Sequence, residues 1–448
     1  MYLEIENIEA RQILDSRGNP TVEAEIELID GTKACASVPS GTSTGTFEAV
    51  ELRDKVPNEY LGKGVNKAIV NINETIAQNL ISEDPSNQRN IDNLMLEADC
   101  SFNKSTLGAN AILAVSLACA RLSAKAYDLP LYRYIGGINA CTLPTPMMNI
   151  LNGGVHANNK LDFQEFMIAP VGVSSFSEAV KAGVEIFQSL KQILDKKGLS
   201  TNVGDEGGFA PELSCPEEAI EMIIKAIEQA GYNTKIIKVC LDVAASEFYE
   251  PGECSGGVCS VAQYKLNGIN KILTHQDMIE YLAKLINDYP IISIEDGLAE
   301  DDEIGWISLT EKLGNKCQLV GDDLFVTNVE RLIGGLRKKM ANSILIKPNQ
   351  IGTLSETLET IFMAQKNNYS TIISHRSGET EDTFISDLAV GVNAGLIKCG
   401  SLSRTDRVCK YNRLLKIEKE LGQNARYMGI RAFKGFGYDI NDIPPCCY

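Results

Sequence analysis

The sequence predicts an α/β protein in which a small N-terminal α+β domain is followed by a TIM-type αβ barrel. Two observations predict this fold. The first part of the chain alternates in polarity like antiparallel strands and then changes to helical spacing. The remainder repeats short apolar runs that each end in an ionisable residue, a pattern typical of the buried parallel strands of a barrel.

Composition excludes several classes of function. The chain has 448 residues, 44% of them hydrophobic, which suits two or three domains of roughly 100–200 residues each. Its formal charge is −17, so we expect neither nucleic-acid binding nor membrane-surface binding. Because the chain has 59 acidic residues and only three histidines, we expect chemistry based on carboxylates, lysines and arginines, with a divalent cation held by carboxylates.

Cysteine usage and the N-terminal residues bear on the cell compartment. Thirteen cysteines without framework spacing suit a reducing cytosol. The first residues contain neither a basic segment nor a long apolar run, so we expect no signal peptide. The longest apolar stretch, residues 111–120, is shorter than the ~20 residues that a membrane span requires. We therefore expect a cytoplasmic protein with no membrane span.

The predicted N-terminal domain covers residues 1–135. From Thr21 to Leu28 apolar and acidic residues alternate, which predicts a half-buried strand, and Asp30-Gly31 predicts a turn into a second strand up to Val38. Small polar residues at 39–46 predict a mobile surface loop. Helical spacing follows over 65–80, 91–98 and 109–126, and antiparallel strands followed by helices describe a small α+β domain.

The predicted barrel domain covers residues 140–448. Its apolar runs end at Asp242, Glu295, Asp322, Lys347, His375-Arg376 and Lys398, and from Glu295 onward the steps are 27, 25, 28 and 23 residues. This is the length of one βα unit, so we expect a parallel sheet closed into a barrel. A doubly wound sheet is the alternative, but it places its chemistry on one or two loops rather than on many successive strand ends.

The strand-end residues predict two kinds of site at one mouth of the barrel. Asp242, Glu295 and Asp322 would repel one another unless a cation such as Mg²⁺ neutralised them. The bases Lys347, Arg376 and Lys398 predict an anion site. Each acid alone could instead cap a helix or pair on the surface, but several in one register favour a functional site.

A lysine at the end of a buried strand, beside a metal and a second lysine, is expected to have a lowered pKa that suits a base. A Schiff base is the alternative role for such a lysine. The three carboxylates argue against it, because a Schiff-base enzyme does not need a metal. A metal and a lysine base together suggest proton abstraction alpha to a carboxylate.

Two further motifs carry weaker signals. Asp205 and Glu206 lie in a Gly-rich segment that could be a simple turn. His156 follows an Asn-Gly-Gly segment and precedes the pair Gln164-Glu165. A single histidine of this kind is more often structural than catalytic.

Six long motifs occur in order along the chain. They are Asp15–Glu23, Ser40–Gly45, Ile294–Leu298, Val320–Leu324, Leu345–Gly352 and Ser374–Thr380. Together they resemble the enolase family, in its bacterial type. The resemblance implies reversible dehydration of 2-phosphoglycerate to phosphoenolpyruvate in glycolysis and gluconeogenesis.

The resemblance also implies a role for each site residue. Lys347 would remove the C2 proton, and Glu206, protonated when it acts, would protonate the leaving C3 hydroxyl with help from Glu165. The first Mg²⁺ would be held by Asp242, Glu295 and Asp322, and the second by Ser43. The phosphate would be bound by Arg376 and Ser377, and the substrate carboxylate by Lys398. The pocket would be lined by Gln164, His156 and His375.

The same resemblance implies a homodimer or an octamer of dimers, two Mg²⁺ per site, and secondary display on the cell surface as in some relatives. Another acid-sugar dehydratase or racemase of the superfamily is one alternative, against which the phosphate motif at His375-Arg376-Ser377 and the pair Lys347 and Lys398 argue. A non-catalytic protein that kept the fold is the other. It would be favoured only if a catalytic position were lost.

Overall fold

The computed structural model describes residues 3–41, 45–252 and 262–435, and the backbone alone of two short strands in between. Ser43, the residue expected at the second metal, lies outside the described residues.

The N-terminal domain begins with a three-stranded antiparallel sheet in the order β1 (Ile5–Leu14), β2 (Pro20–Leu28) and β3 (Lys33–Ser37). The alternation in β2 appears as alternating burial, so the second strand and its turn into the third agree with the sequence prediction. The first strand was not predicted from the sequence. Its pairing shifts register between Ile5 and Asn7, which interrupts the alternation that would have indicated a strand.

Helices follow the sheet, as the change of periodicity predicts. They are α1 (Asn66–Val70), continued by a π-helical turn at Asn71–Ile76 into α2 (Ala77–Leu80), then α3 (Gln88–Asp99), α4 (Ala109–Ala126) and α5 (Leu131–Gly136). Helix α4 packs against β2 and β3. Among the described helices it alone is long and apolar enough to cross a membrane by length and composition, but 83% of its apolar stretch is buried inside the fold.

The second domain is built on a closed eight-stranded barrel. The strands after residue 140 are β4 (Thr142–Leu143), β5 (Thr145–Asn152), β6 (Glu165–Pro170), β7 (Ile237–Asp242), β8 (Tyr249–Glu250), β9 (Cys254–Ser255), β10 (Val258–Cys259), β11 (Gln263–Leu266), β12 (Lys271–Leu273), β13 (Ile291–Glu295), β14 (Gln318–Gly321), β15 (Ser343–Ile346), β16 (Ser370–Ser374), β17 (Gly395–Lys398) and β18 (Arg426–Tyr427). The barrel order is β13-β14-β15-β16-β17-β5-β6-β7, which confirms the predicted TIM-type fold.

One strand corrects the expectation of a wholly parallel sheet. Strand β6 runs antiparallel to both β5 and β7. The segment between β5 and β6 contains only a short 3₁₀ turn at Gly154–His156. A parallel pair needs a longer crossover, usually a helix, so the chain returns here as a hairpin.

Helices surround the barrel. They are α6 (Phe176–Lys196), α7 (Pro216–Gln229), α8 (His275–Asp288), α9 (Glu303–Leu313), α10 (Val329–Lys338), α11 (Pro348–Ile351), α12 (Leu354–Lys366), α13 (Phe384–Gly391) and α14 (Thr405–Leu421). Inward residues of the strands form a separate apolar cluster that includes Met147, Cys240 and Leu345 and is packed by Phe433. This cluster fills the barrel interior, so polar chemistry is confined to the mouth at the carboxyl ends of the parallel strands.

Candidate active site

Polar side chains from six barrel strands meet at this mouth. Asp242, Glu295 and Lys398 are the last residues of β7, β13 and β17, while Lys347 and His375 directly follow β15 and β16. One cavity is lined by eleven residues, among them every predicted catalytic and substrate-binding residue: His156, Gln164, Glu165, Glu206, Asp242, Lys347, Ser374, His375, Arg376, Ser377 and Lys398. Of the predicted metal ligands, Asp242 lines the cavity, and Glu295 and Asp322 contact its lysines Lys398 and Lys347. Ser43 lies outside the described residues.

Asp242 and Glu295 share one cation, the ammonium of Lys398. Its Nζ lies 3.0 Å from Oδ2 of Asp242 and 2.9 Å from Oε1 of Glu295. Burial and the negative charge of Asp242 raise the pKa of Glu295 well above its usual range. Its second oxygen, Oε2, is buried and has no hydrogen-bond partner among the described residues. This unpartnered carboxylate oxygen fits a hard divalent cation, which prefers oxygen ligands.

Asp322, the third predicted metal ligand, is held by two side chains. Lys347 Nζ lies 2.5 Å from its Oδ2, and Gln350 Nε2 donates to its Oδ1 at 2.9 Å. Burial opposes the charged carboxylate, but Lys347 outweighs it and lowers the pKa of Asp322. Burial likewise opposes the ammonium, but Asp322 raises the pKa of Lys347. The lowering was expected for a lysine beside a bound metal, and for that state it stays a prediction; among the described residues alone Asp322 is the nearest partner of Lys347.

Two groups of described residues bring three potential ligand atoms within 4.8 Å of one another, namely His156, Glu165 and Glu206, and Asp296, Asp322 and Asp323. The predicted set of Asp242, Glu295 and Asp322 is not one of these groups. Lys398 pairs with Asp242 and Glu295, and Lys347 pairs with Asp322. The second group shares Asp322 with the predicted metal ligands. Asp296 and Asp323 therefore add further carboxylate oxygens next to Asp322.

The side chain of Asp296 connects this second group by accepting hydrogen bonds from the backbone of the other two residues. Its two carboxylate oxygens accept the backbone N–H groups of Asp322 and Asp323, each at 2.9 Å. Burial and the neighbouring charge of Asp322 raise the pKa of Asp323 to about 8. The excess of negative charge at this edge of the mouth is a second feature that favours cation binding.

Glu165 and Glu206 form the acidic pair on the other side of the cavity. The Nδ1 atom of His156 lies 3.5 Å from Oε1 of Glu165 and 3.7 Å from Oε1 of Glu206. Burial and the charge of Glu206 raise the pKa of Glu165 well above its usual range. Burial alone would raise the pKa of Glu206 too, but His375 and His156 outweigh it and lower that pKa. The pKa values of the two carboxylates are therefore shifted in opposite directions. That Glu206 is protonated at the moment it acts stays a prediction.

The anion side of the mouth is formed by the residues after β16. Arg376 is buried and its Nη1 lies 2.9 Å from Oε2 of Glu48. His375 places Nε2 at 3.3 Å from Oε2 of Glu206, and burial together with Arg407 lowers the pKa of His375 to about 3. The imidazole is therefore neutral at physiological pH. Gln164 donates to Oδ2 of Asp242 at 3.3 Å.

Several residues that contact this site were missed by sequence reasoning, and three of them bind charged or titratable site residues. Glu48, Gln350 and Arg407 each bind a predicted site residue. Gln350 belongs to the motif that begins with Lys347, so its neighbourhood was a usable signal. Arg407 lies within helix α14 and Glu48 lies in the N-terminal domain, and neither position carries a pattern that points to a distant barrel mouth.

Two protein-family models match the chain in succession. The one described as enolase, N-terminal domain, matches residues 5–135, and the one described as enolase, C-terminal TIM barrel domain, matches residues 140–435. Together they cover most of the chain, and the boundary between them falls between helix α5 and the first strand of the barrel domain.

Proposed function

Because the chain belongs to the enolase family, we propose that it catalyses the reversible dehydration of 2-phospho-D-glycerate to phosphoenolpyruvate, as the bacterial-type members do. Family membership implies a lyase. The observation that carries the specific reaction is that one cavity holds a lysine, Lys347, and a buried acidic pair, Glu165 and Glu206, together with cationic residues for an anionic substrate.

Lys347 is the proposed base that removes the C2 proton. This proton is weakly acidic, so the base must be neutral and held close to the carbon. Arg376 and Lys398 both lower the pKa of Lys347 by repulsion, although burial and Asp322 have larger effects. The two cations therefore act in the direction that a base requires, and in the reverse reaction the ammonium of Lys347 returns the proton to C2.

Glu206 is the proposed acid that protonates the C3 hydroxyl, so that it leaves as water. Hydroxide is a poor leaving group, and proton transfer from a positioned acid overcomes this. Glu165, whose pKa is raised by burial and by the charge of Glu206, assists Glu206 in this transfer. His156 faces both carboxylates through Nδ1 and keeps their Oε1 atoms on the same side of the cavity.

The cationic residues bind the two anionic ends of the substrate. Arg376 and Ser377 are assigned to the phosphate, because a guanidinium matches phosphate oxygens in pairs. Lys398 is assigned to the carboxylate end, and Gln164 and His375 line the space between. All of these groups are buried, which excludes water and strengthens each charge interaction.

The carboxylates of Asp242, Glu295 and Asp322 would hold one Mg²⁺, as the unpartnered oxygen of Glu295 suggests. When bound, two Mg²⁺ per site would neutralise the charge that develops on the substrate carboxylate. Ser43, proposed for the second ion, lies outside the described residues.

We further propose that the protein is a cytoplasmic homodimer or an octamer of dimers, with secondary display at the cell surface. Light scattering of the purified protein measures the oligomer, and fractionation of cells tests the location.

The experiment that tests the reaction is a direct assay. Purified protein is mixed with 2-phosphoglycerate, and the ultraviolet absorbance of the enol phosphate is followed with Mg²⁺ and with excess chelator. We expect a signal that requires Mg²⁺ and returns when Mg²⁺ is restored. Absence of the signal with metal present, together with turnover of an unphosphorylated acid sugar, would contradict the proposal and favour a different dehydratase or racemase of the superfamily.

A further inference from the structure

Arg407 contacts two separate segments of the site, residues 375–377 and Asp205. It lies in helix α14 and is fully buried. Its Nη1 donates to the carbonyl oxygen of Arg376 at 2.5 Å, and its Nη2 donates to the carbonyl oxygens of Ser377 at 2.6 Å and Asp205 at 3.1 Å. One guanidinium therefore links the turn assigned to the phosphate with the residue that precedes Glu206.

The same guanidinium contacts the ring of His375. Its Nη1 is hydrogen-bonded to Nδ1 of His375. A guanidinium stays protonated in proteins and can only donate, so Nδ1 must be the accepting, unprotonated nitrogen. A neutral imidazole then carries its single proton on Nε2. The hydrogen bond that Nδ1 accepts from Arg407 therefore makes Nε2 the donor nitrogen of His375.

The other side of the ring faces Glu206. The Nε2 atom of His375 is buried, has no hydrogen-bond partner in the described chain, and lies 3.3 Å from Oε2 of Glu206. Asn149 Nδ2 also donates to this Oε2, at 3.1 Å. The other oxygen of Glu206, Oε1, faces His156 at 3.7 Å instead. Because Asn149 donates to Oε2 and Nε2 of His375 faces the same oxygen, Oε1 would be left as the oxygen that carries the reacting proton.

The path of Arg407 to the site depends on a glycine. Gly400 has φ +81°, and a Cβ atom there would lie 2.7 Å from Cδ of Arg407 and 2.8 Å from the carbonyl oxygen of Glu206. Such contacts are too close for a side chain. The backbone at Gly400 thus leaves room for the arginine side chain to pass directly beneath Glu206.

We propose that Arg407 is a positioning residue that fixes His375 as the neutral Nε2–H tautomer facing Oε2 of Glu206 and thereby reserves Oε1 for proton transfer. This inference rests on the proposed function for its catalytic consequence, but not for the tautomer itself. Without the arginine, Nδ1 can hold the proton, and Nε2 then becomes an acceptor that competes for the proton of Glu206. The charged groups that face the ring are Glu206, Arg407 and Lys398.

The direct test is nuclear magnetic resonance of protein labelled with ¹⁵N-histidine. The chain has only three histidines, so His275→Gln and His156→Gln assign the spectrum. We expect long-range ¹H–¹⁵N correlations of the wild type to show His375 as the Nε2–H tautomer. In Arg407→Gln we expect loss of that single tautomer, and in Arg407→Lys its partial retention. An Nδ1–H tautomer in the wild type, or an unchanged spectrum in Arg407→Gln, would overturn the proposal.

The kinetic test separates positioning from folding. In Arg407→Gln we expect the dehydration rate kcat to fall at least tenfold, while exchange of the C2 proton by Lys347 stays within about threefold. Arg413→Gln, on the same helix and paired with Asp387, is the matched control and should change neither rate. Equal loss of both rates in Arg407→Gln, with the tautomer of His375 unchanged in the same variant, would indicate a structural role only.

Failure of the proposed reaction can be distinguished from failure of the positioning role of Arg407. If the wild type does not dehydrate 2-phosphoglycerate, the reaction assignment is wrong, but the tautomer of His375 and its response to Arg407→Gln still decide the positioning role. If the wild type is active and the tautomer is Nδ1–H, the reaction stands and the positioning role falls.

Discussion

The guanidinium of Arg376 and the carboxylate of Glu48 form an ion pair, with Nη1 and Oε2 2.9 Å apart. The pair joins the barrel mouth to the N-terminal segment that follows the predicted mobile loop. Gln350 supports it, since its Nε2 donates to Oε1 of Glu48 at 3.2 Å and its carbonyl oxygen accepts the backbone N–H of Ala49 at 2.8 Å. The proposed phosphate-binding arginine is thus already neutralised by an acid.

Removing the charge of Glu48 should strengthen anion binding. In Glu48→Gln the amide keeps a hydrogen bond to Arg376 but no longer offsets its positive charge. At the effective dielectric of a protein site the gain is about 1 kcal/mol, or roughly fivefold tighter binding. Calorimetric titration with inorganic phosphate measures it, with Glu59→Gln as the exposed control. Weaker phosphate binding in Glu48→Gln would show that Glu48 orients Arg376 rather than competing with the anion.

Lys347 and Glu206 should be separable by isotope exchange. Lys347→Ala removes the proposed base, so exchange of the C2 proton of 2-phosphoglycerate with solvent should fall by at least ~10²-fold. Glu206→Gln removes the proposed acid, so exchange should persist while dehydration is lost. Nuclear magnetic resonance in deuterium oxide measures exchange, and absorbance measures dehydration.

The control for Lys347→Ala and Glu206→Gln is a substitution at an exposed lysine. Lys284→Ala, on the exposed face of α8, should leave both rates unchanged. Retained C2 exchange in Lys347→Ala would show that another residue is the base.

Glu295→Gln should separate metal binding from stability. The buried Glu295 carboxylate is disfavoured by burial and by Asp242, so a neutral amide should change the free energy of unfolding in chelator by less than about 1.5 kcal/mol. Its loss as an oxygen ligand should weaken Mn²⁺ binding at least ~10-fold. Calorimetry and urea unfolding measure the two effects, with the exposed pair member Glu303→Gln as control. Unchanged Mn²⁺ affinity would argue that the ion binds elsewhere.

His375 should make stability depend on pH. Burial and Arg407 lower its pKa from 6.5 to about 3 in the folded protein. Below its ordinary pKa the unfolded chain binds a proton that the folded chain does not, so stability is full above about pH 6.5 and falls as the pH approaches 3. Between about pH 6.5 and pH 5 the loss from this residue is ~2 kcal/mol.

Urea unfolding at several pH values measures this loss. His375→Asn should reduce the slope of the free energy of unfolding against pH, while Ile373→Val on the same strand should lower stability without changing the slope. An unchanged slope in His375→Asn would mean that His375 is protonated in the folded protein.

A buried ion pair between the domains should contribute strongly to stability. Arg121 of α4 binds Asp382 with both terminal nitrogens at 2.6 Å. Arg121→Leu leaves the buried Asp382 carboxylate without its cation, which should cost about 2–3 kcal/mol once partial exposure of the arginine is allowed for. The double variant with Asp382→Leu should recover part of that loss. Thermal unfolding measures both, and Lys125→Leu, exposed one turn later, should change stability by less than about 0.5 kcal/mol.

Many residues of the barrel mouth could be predicted from the sequence alone. Each buried strand is a short apolar run, and the residue that ends it reaches the mouth whatever the exact packing, as Asp242, Glu295 and Lys398 illustrate. Helix α4 begins and ends at the predicted residues, over a run rich in alanine and other apolar residues. These features follow from local periodicity, which a sequence displays directly.

Only the tertiary structure decided the direction of β6, the partners of the charged residues and the place of Arg407. Strand direction depends on how the chain between two strands packs. A short apolar run has the same pattern in a parallel and in an antiparallel strand, so the sequence does not distinguish them. The raised pKa values of Lys347 and Glu165 depend on burial and on which charges lie within a few ångströms. Coulomb energy and burial are set by distance in space, so groups such as Glu48 and Arg376, 328 residues apart in sequence, acquire their roles only when the chain is folded.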